Sequence, residues 1–443
     1  SGSLHISGKV SFSGTQAAGG PCGIYAKQIE EVTIEGAQFS QLISAEGAIG
    51  ADGVAVHVKN CGQVAIKDAS FDNCKGDSDG GAVKIYSVGA ILDSCTFTDC
   101  SSGRNGGALF IADNGTVVKN TTFKQCSAQT NGGAVYLDGK SQVTMEGVKI
   151  EGCSAWYGSG IYVSAAGISE EGKADADTFL TLDDQCAITQ CGSAKEGGGI
   201  YIERRGQVRL NGAKITGCKA DKGGGVFIHY QNDNGPKNAF LQVSGGTQIT
   251  DNSSSNVYFE NETQSIEVIG ELTDEAKIGY TCGTYRIDRV IAQKTDGQLT
   301  ETDAEKFVCD HQDWLSAVSS DGKIGLASKK FNVPWSQLAA QIAAADAGTA
   351  DNPTVITVSG SFSTDAQTGT INIDNKHIRL VPADGDVKIS RGSGQMASFF
   401  KIGANGSLTM GNTSKDTAHI TLDGGDMEKC SPLLTLAGGD FTL

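Results

Sequence analysis

Residues 100–135, CSSGRNGGALFIADNGTVVKNTTFKQCSAQTNGGAV, decide the fold, because they hold one complete repeat and the start of the next. Cys100 is followed by Cys126, and the element Gly106-Gly107-Ala108-Leu109 returns as Gly132-Gly133-Ala134-Val135, so both markers step by 26 residues. A fixed period between about 20 and 50 residues is typical of solenoids, in which each unit buries its apolar face only against its neighbours. The sequence therefore predicts a stack of repeated rungs.

The two markers extend through most of the N-terminal half of the chain. The cysteine series steps by 26, 26, 27, 38 and 27 residues and consists of Cys74, Cys100, Cys126, Cys153, Cys191 and Cys218. The glycine marker stays in phase with it, in runs that begin at Gly80, Gly106, Gly132, Gly158, Gly197 and Gly223. Such regularity indicates a repeat and not a zinc site.

Apolar residues alternate within each repeat at the spacing of β-strands. Leu109 and Ile111, which follow the glycine marker, are two positions apart, so their side chains share one face. A second alternating pair comes next, and then one apolar position such as Phe123, three residues before Cys126. Three short strands with polar turns and nothing helical between them are typical of one rung of a parallel β-helix. The rule for parallel crossovers predicts that the coil is right-handed.

The repeat pattern divides the chain into three predicted segments. Residues 1–255 form the parallel β-helix, with rungs of ~26 residues. Residues 256–330 lose the glycine marker and gain charge, as a capping or junction region would. Residues 331–443 begin with Pro334 and with Trp335, Leu338 and Ile342 at helical spacing, after which strand-like runs resume. We expect an all-β fold in which this short capping α-helix covers the start of a second, incomplete β-helical module.

Composition excludes several classes of function. The 443 residues include 35 Lys and Arg against 51 Asp and Glu, and the formal net charge of −16 disfavours nucleic acids and anionic membranes as partners. No apolar run approaches the ~20 residues that a membrane-spanning helix needs, so no membrane insertion is expected. No residue pattern predicts a cofactor or a metal centre.

The repeats resemble those of chlamydial polymorphic membrane proteins and of adhesin-like, autotransporter-type β-helix proteins of anaerobic bacteria. The resemblance covers about Gly53 to Asn252 and rests on a G-G-[AG]-[VIL] element that alternates with a later F-x-x-N-like element. The second element reads Phe71-Asp72-Asn73-Cys74 here, with Cys where that family has Asn. The resemblance implies a bacterial protein that is secreted or displayed at the cell surface, and that adheres to a glycan or a host surface protein without a defined catalytic site.

A column of aromatic residues is the candidate binding site. Because Val135 and Leu137 point inward, Tyr136 between them points outward. The same parity in successive rungs, preceded by Tyr25 and Lys84, gives the aromatic column Phe110, Tyr136, Tyr162, Tyr201 and Phe227. We interpret the aromatic column as an exposed stripe that contacts a ligand. The alternative is that the stacked rings only shelter the sheet or pack beneath a loop.

Two insertions leave the same strand end and are expected to be loops beside the aromatic column, at about Ser164–Thr178 and Tyr230–Asn238. The first insertion and its flank, residues 168–184, carry six acidic residues against one Lys. Calcium favours such oxygen clusters, but no ligand spacing is present, so a solvated acidic loop is the other interpretation.

The alternative function is that of a carbohydrate-active enzyme, a polysaccharide lyase or a glycoside hydrolase, because parallel β-helices include both. Asp138 and Glu203 share the outward parity with Ser164 between them. Two rung steps of ~4.8 Å put them about 10 Å apart, just beyond the separation of an inverting pair of carboxylates. Arg204, Arg205 and His229 lie nearby without a motif that joins them. The sequence therefore favours a non-catalytic module.

The cysteine series predicts buried thiols. Equivalent residues on adjacent rungs lie ~4.8 Å apart at Cα, within the disulfide range, but their parallel side chains are poorly aimed at each other. We expect most of these thiols to be unpaired and to pack as small apolar side chains. In a protein outside the cell, this suits an anaerobic habitat.

Overall fold

The computed structural model describes residues 2–14, 16–17, 22–45, 52–164, 178–192, 194–203, 205–230, 240–286, 289–312, 314–319, 321–328, 335–358, 362–364, 368–382, 386–392, 396–411, 419–424 and 431–442. Two compact units are present. The first consists of Ser1–Thr284 with Lys306–Asp310, and the second of Tyr285–Glu305 with His311–Leu443.

In the first unit, the strand that follows each glycine marker pairs in parallel with its counterpart in the next rung. Leu109 lies between Val83 and Val135, so each rung adds one strand in the same register. We call this stack the first ladder. Its strands are Ile24–Lys27, Val56–Lys59, Val83–Tyr86, Leu109–Ile111, Val135–Leu137, Ile161–Val163, Ile200–Ile202, Val226–Ile228, Val257–Phe259 and Lys277–Cys282.

Two further ladders complete each rung. The second ladder consists of Ser3–Ile6, Glu31–Glu35, Gln63–Lys67, Ile91–Asp93, Asn114–Lys119, Gln142–Glu146, Thr178–Leu182, Gly206–Asn211, Phe240–Gly245 and Ile266–Leu272. The third ladder consists of Ser11–Ser13, Gln38–Ser40, Ser70–Asp72, Thr96–Thr98, Thr122–Lys124, Lys149–Glu151, Ala187–Thr189, Lys214–Thr216 and Gln248–Thr250. The predicted three-stranded rung of a parallel β-helix is confirmed.

Very short strands pair between the third ladder and the next glycine marker, and we call them the turn ladder. Five of them form one sheet: Gln16–Ala17, Ile43–Ser44, Lys75–Gly76, Ser101–Ser102 and Ser127–Ala128. Ala194–Glu196 and Ala220–Lys222 form a separate pair. The turn ladder is therefore interrupted between Ala128 and Ala194.

Aromatic rings stack inside the coil, at the apolar position of the third ladder. Neighbouring ring centroids are 4.5–4.9 Å apart and the rings are nearly parallel. This inner stack consists of Phe39, Phe71, Phe97 and Phe123, all of them buried. Full burial of such a side chain stabilises the fold by roughly 1.5–3 kcal/mol.

The glycine marker has a steric cause at each of its two positions. Gly106 has a φ of +64°, a left-handed conformation in which other residues are strained. A Cβ on Gly107 would lie 2.0 Å from the carbonyl oxygen of Gly133 on the next rung. The first glycine therefore makes the corner, and the second lets neighbouring rungs approach.

The cysteine series fills a corner of the coil with hydrogen-bonding thiols. Cys126 Sγ lies 3.7 Å from the carbonyl oxygen of Phe97 on the preceding rung and 3.4 Å from that of Lys124. At the equivalent position, Asn252 Nδ2 donates to the carbonyl oxygen of Ile215 at 2.9 Å. Cys and Asn at this position thus both hydrogen-bond to a carbonyl oxygen of the preceding rung. All six thiols of the series are buried and none forms a disulfide, as predicted.

Strand pairing continues past residue 255, the predicted end of the first coil. Val257–Phe259 pairs with Val226–Ile228 in the first ladder. Lys277–Cys282 then pairs with both the first and third ladders, and Phe307–Cys309 pairs with it in turn. Within the first unit, Asp310 accepts hydrogen bonds from Asn256 and Thr281, so this acidic residue has a structural role.

The second unit begins with an antiparallel sheet of Val290–Lys294, Trp314–Val318 and Ile324–Ser328. Helix Glu301–Ala304 is capped by Thr300 through a capping box with Asp303. A second parallel coil follows. Its three ladders are Thr354–Val358, His377–Pro382, Ser407–Met410 and Asp440–Thr442; Phe362–Ser363, Val387–Ser390 and Ile420–Asp423; and Ile371–Ile373, Phe400–Ile402 and Leu434–Leu436.

Helix Trp335–Ala344 packs on the core of the second coil, as predicted, although Pro334 lies outside the described residues. The Trp335 ring meets the edge of Phe400 at 5.2 Å, and its Nε1 donates to the carbonyl oxygen of Gly369 at 2.7 Å. Lys376 Nζ donates to the carbonyl oxygens of Ile342 and Ala345, which the end of the helix leaves without backbone partners.

Candidate functional site

The aromatic column exists as predicted and forms a continuous stack. Successive ring centroids from Phe110 to Phe227 are 5.1, 5.2, 4.9 and 5.2 Å apart. The planes of successive rings differ by 3–17°, so the rings lie face to face. The parallel register causes this arrangement, because it places Tyr136 beside Tyr162 and Tyr162 beside Tyr201.

The aromatic column is not an exposed stripe, and that part of the interpretation is wrong. Its rings are only 0–9% exposed, and the members are Phe110, Tyr136, Tyr162, Tyr201 and Phe227. Strand parity determines that a side chain leaves the coil but not what packs over it. Tyr157 and Tyr258 pack against the stack. Of the two residues that precede the column, Tyr25 is 53% exposed and Lys84 is 4% exposed. The predicted insertions fall mainly on residues 165–177 and 231–239, which lie outside the described residues.

Two columns of mostly polar residues flank the rings. The leading column contains the residue before each glycine marker: Asp52, Asp79, Asn105, Asn131, Tyr157, Glu196 and Lys222. The trailing column contains the residue two positions after each residue of the aromatic column and after the equivalent residues His57, Lys84 and Tyr258 of the first ladder. Its members are Lys59, Tyr86, Ala112, Asp138, Ser164, Glu203, His229 and Glu260. We did not predict the leading column, although the repeated Asp-Gly-Gly and Asn-Gly-Gly runs in phase with the period would have shown it.

A buried ion cluster closes one end of the aromatic column. Lys84 Nζ lies 2.9 Å from Asp52 Oδ2 and 3.2 Å from Asp79 Oδ2, and 4.5 Å from the ring centroid of Phe110. Burial opposes ionisation of Asp52, but the hydrogen bond and charge of Lys84 hold its pKa below the usual value. Asn105 Nδ2 donates to Asp79 Oδ1 at 3.1 Å. This network fixes the position of Lys84.

His57 lies beside the ion cluster in a neutral state. Burial lowers the pKa of His57 to about 4, with a smaller contribution from the charge of Lys84. Its ring meets the edge of Tyr25 at 5.1 Å, and among the described residues its Nε2 has no hydrogen-bond partner.

Hydroxyl groups and carboxyl groups meet along the middle of the trailing column. The Tyr136 hydroxyl donates to Ser164 Oγ at 3.0 Å, and Ser164 Oγ donates to Glu203 Oε2 at 3.3 Å. Burial, followed by the negative charge of Glu203, raises the pKa of the Tyr162 hydroxyl. Burial, followed by the negative charge of Asp79, raises the pKa of Asp138 above its usual value. The sequence placed Asp138, Ser164 and Glu203 on this face, and the structure adds the Tyr136 hydroxyl, which donates to Ser164.

Ion pairs border the other end of the column. His229 Nδ1 lies 3.3 Å from Glu260 Oε2, which also accepts from the backbone N–H of Tyr230 at 2.9 Å. Lys222 Nζ lies 3.9 Å from Glu196 Oε1, and burial raises the pKa of Glu196. Chemically, the face offers carboxyl and hydroxyl groups that can accept and donate hydrogen bonds.

In the described part of the chain, no cluster of three or more His, Cys, Asp or Glu side chains could hold a metal ion. The acidic insertion expected at residues 168–184 is mostly outside that part, so the calcium interpretation is not tested. No helix among the described residues is both long and apolar enough to cross a membrane.

The chain belongs to the right-handed β-helix family, since the family model described as "Right handed beta helix region" matches residues 4–169 and 52–263. No curated protein matches the sequence.

Among solved structures, the chain is similar to a mutant of the PL6 family alginate lyase AlyGC, with 12% identity and a TM-score of 0.27. That alignment covers 96% of this chain and 59% of the lyase, so the chain spans less than two thirds of the lyase. A second structure of AlyGC gives 10% identity and a TM-score of 0.27, with coverage of 98% and 73%. Similarities this low assign no activity to the chain.

Proposed function

We propose that the chain is a non-catalytic, adhesin-like module of a secreted or cell-surface bacterial protein, and that it binds a neutral glycan along the trailing column. The observation that carries the proposal is the row of Asp138, Ser164 and Glu203 on three successive rungs, at the edge of the buried aromatic column. The adhesin-like role and the location outside the cell come from the resemblance of the repeats to surface proteins.

Rigid support favours binding at this row. The Tyr136 hydroxyl donates to Ser164, which donates to Glu203, and the Tyr136 ring is fixed by stacking on Tyr162. Groups that are already ordered lose little conformational entropy when a ligand binds. In this proposal the aromatic column supports the site, and its tyrosine hydroxyls, rather than its ring faces, border the ligand.

Charge favours a neutral ligand. The chain carries a formal net charge of −16, and Asp138 and Glu203 add negative charge at the site, so a polyanion would be repelled. Sugar hydroxyls can donate to carboxylates and accept from hydroxyl groups without any opposing charge.

Binding to immobilised polysaccharides tests the proposal, with xylan, mannan and β-glucan as neutral probes and alginate and polygalacturonate as anionic ones. We expect a neutral probe to bind with little dependence on salt. Glu203→Gln should weaken binding about tenfold, because a hydrogen bond to a charged group contributes roughly 1.5–3 kcal/mol. Glu35→Gln, an exposed site on the second ladder, removes the same charge and should leave binding unchanged. Failure of all neutral probes, or equal loss in both variants, would contradict the proposal.

A carbohydrate-active enzyme is the second candidate function. It is favoured by the raised pKa of Asp138 and by the hydroxyl groups that lead from Tyr136 to Glu203, since a carboxyl group with a raised pKa suits a general acid. The same probes, assayed for release of reducing or unsaturated ends, separate the candidates. Turnover that Asp138→Asn abolishes would replace the binding proposal with catalysis.

A further inference from the structure

The gap in the turn ladder coincides with a rung whose turn is one residue short. The step is six positions from Cys126 to Gly132 and from Cys191 to Gly197, and five from Cys153 to Gly158, as it also is from Cys218 to Gly223. Ser154 keeps one bridge to Ser127, and no turn-ladder strand forms between Ala128 and Ala194 among the described residues.

A buried serine holds this short turn in place. Ser159 occupies the second position of the glycine marker, and its Oγ accepts from the backbone N–H of Ala155 at 3.1 Å. The same Oγ lies 3.2 Å from the carbonyl oxygens of Ala155 and Gly192, to which it can donate. The backbone N–H of Lys195 donates to the carbonyl oxygen of Trp156 at 2.7 Å. The turn is therefore tied to the rung that follows it.

A cavity of about 390 Å³ lies at this turn and is bordered by an indole. The lining residues are Ala128, Gln129, Thr130, Ser154, Ala155 and Trp156. Trp156 is 58% exposed, and Lys195 Nζ, from the following rung, lies 5.1 Å from its ring centroid. The preceding rung supplies Ala128 to Thr130, so the cavity lies on that side. Its volume falls within the roughly 300–1,000 Å³ of small-molecule sites.

We propose that this cavity binds one ring of a neutral saccharide, stacked on the indole of Trp156. An indole offers a flat apolar face to the C–H groups of a sugar ring, while the Gln129 amide and the hydroxyls of Thr130 and Ser154 can hydrogen-bond to its hydroxyls. No charged side chain is among the lining residues, Lys195 nearby disfavours a cation, and the net charge of −16 disfavours an anion. The site shares no residue with the trailing column and does not depend on the proposed function there.

Acrylamide quenching of tryptophan fluorescence tests this site in a Trp314→Phe background, because the partly exposed Trp314 is then absent, Trp156 is 58% exposed and Trp335 is fully buried. The probes are methyl glycosides of glucose, galactose, mannose and N-acetylglucosamine and their disaccharides, up to about ten times a Kd of 1 mM. We expect at least one sugar to protect the fluorescence in a saturable manner. Absence of protection by every sugar would overturn the proposal, as would protection only by aromatic peptides.

Variants locate the binding in this cavity. By calorimetry, Trp156→Ala should lower the affinity for the protecting sugar about tenfold or more, and Gln129→Ala should lower it several-fold with the indole retained. Phe240→Ala, which removes another exposed ring on the second ladder, should leave the affinity unchanged. If Trp156→Ala unfolds, the affinity of Gln129→Ala alone tests whether the sugar binds in this cavity. Unchanged affinity in Gln129→Ala and in a folded Trp156→Ala would overturn the assignment.

Discussion

The first coil contains two stacks of aromatic rings, one inside the coil and one outside it. The inner stack from Phe39 to Phe123 has centroid spacings of 4.5–4.9 Å, and the aromatic column from Phe110 to Phe227 has spacings of 4.9–5.2 Å. Both are buried. The inner rings are all phenylalanines, whereas three of the five outer rings are tyrosines, and the hydroxyl of Tyr136 donates to Ser164. The repeat period therefore fixes stacking on either face of the sheet, and the neighbouring columns determine the chemistry.

Removal of an inner ring is expected to have the largest effect on stability. Phe97→Ala should lower the free energy of unfolding by about 3–5 kcal/mol, because Phe71 and Phe123 stack on either side and leave a cavity that cannot collapse. Urea unfolding measures the loss. Phe240→Ala, at an exposed ring, serves as the control and should cost less than about 1 kcal/mol. A loss for Phe97→Ala no larger than that of the control would contradict the inner stack.

Loss of Lys84 tests the end of the outer column. Lys84→Met should cost roughly 3 kcal/mol at pH 7, because Asp52 and Asp79 would be left as partly buried charges without their cation.

The penalty of Lys84→Met should also depend on pH. In the native protein the pKa of Asp52 is lowered, so its contribution to stability is present above the unfolded pKa of about 3.9 and is lost as the pH falls through the folded pKa. In the variant, burial raises the pKa of Asp52, so protonation relieves the unpaired charge. The difference between the two proteins should shrink as the pH falls from 7 toward 4, as measured by urea unfolding across this range. A constant difference would mean that packing against Phe110, and not charge, is what Lys84 supplies.

The middle of the aromatic column should contribute nearly as much to the free energy of unfolding as the inner stack does. Since Tyr162 is buried between Tyr136 and Tyr201, Tyr162→Ala should cost about 2–4 kcal/mol. Tyr25→Ala, at a ring that is 53% exposed, should cost less than about 1 kcal/mol. If Tyr162→Ala were as mild as Tyr25→Ala in thermal unfolding, the column would be the exposed stripe that strand parity alone suggested.

The two stacks show which features of the fold and of the site could be predicted from the sequence. The period, the strand alternation and the glycine marker depend on contacts between equivalent residues, such as Gly107 beside Gly133, so a repeat in one dimension predicts them. Burial of Tyr162 depends instead on residues at different positions of the repeat, and the cavity beside Trp156 depends on the particular side chains of two neighbouring turns. Neither is contained in the average repeat. The hydrogen bonds from Tyr136 to Glu203 required the register of three particular rungs.

The smallest effect on stability is expected at Cys95, in a corner of the coil that belongs to neither stack. Cys95 lies two residues before Phe97, and its Sγ contacts the carbonyl oxygens of Ile66 and Asp93, both at 3.4 Å. At the equivalent position of the next rung, Thr121 Oγ1 donates to the carbonyl oxygen of Lys119 at 2.7 Å and accepts from the backbone N–H of Cys95. A hydroxyl can therefore replace the thiol as the donor to the carbonyl oxygen two residues before it.

Cys95→Thr should change the free energy of unfolding by less than about 1 kcal/mol, whereas Cys95→Val, which keeps the shape and removes the donor, should cost about 1 kcal/mol more than Cys95→Thr. Urea unfolding of the two variants measures this difference directly. Burial raises the pKa of Cys95 to about 11, so the thiol is protonated at neutral pH. Cys95→Thr therefore replaces one neutral donor with another. Equal stability of Thr and Val at this position would mean that the corner needs only a side chain of the right size, and that the contacts of Cys95 with the carbonyl oxygens contribute no stability.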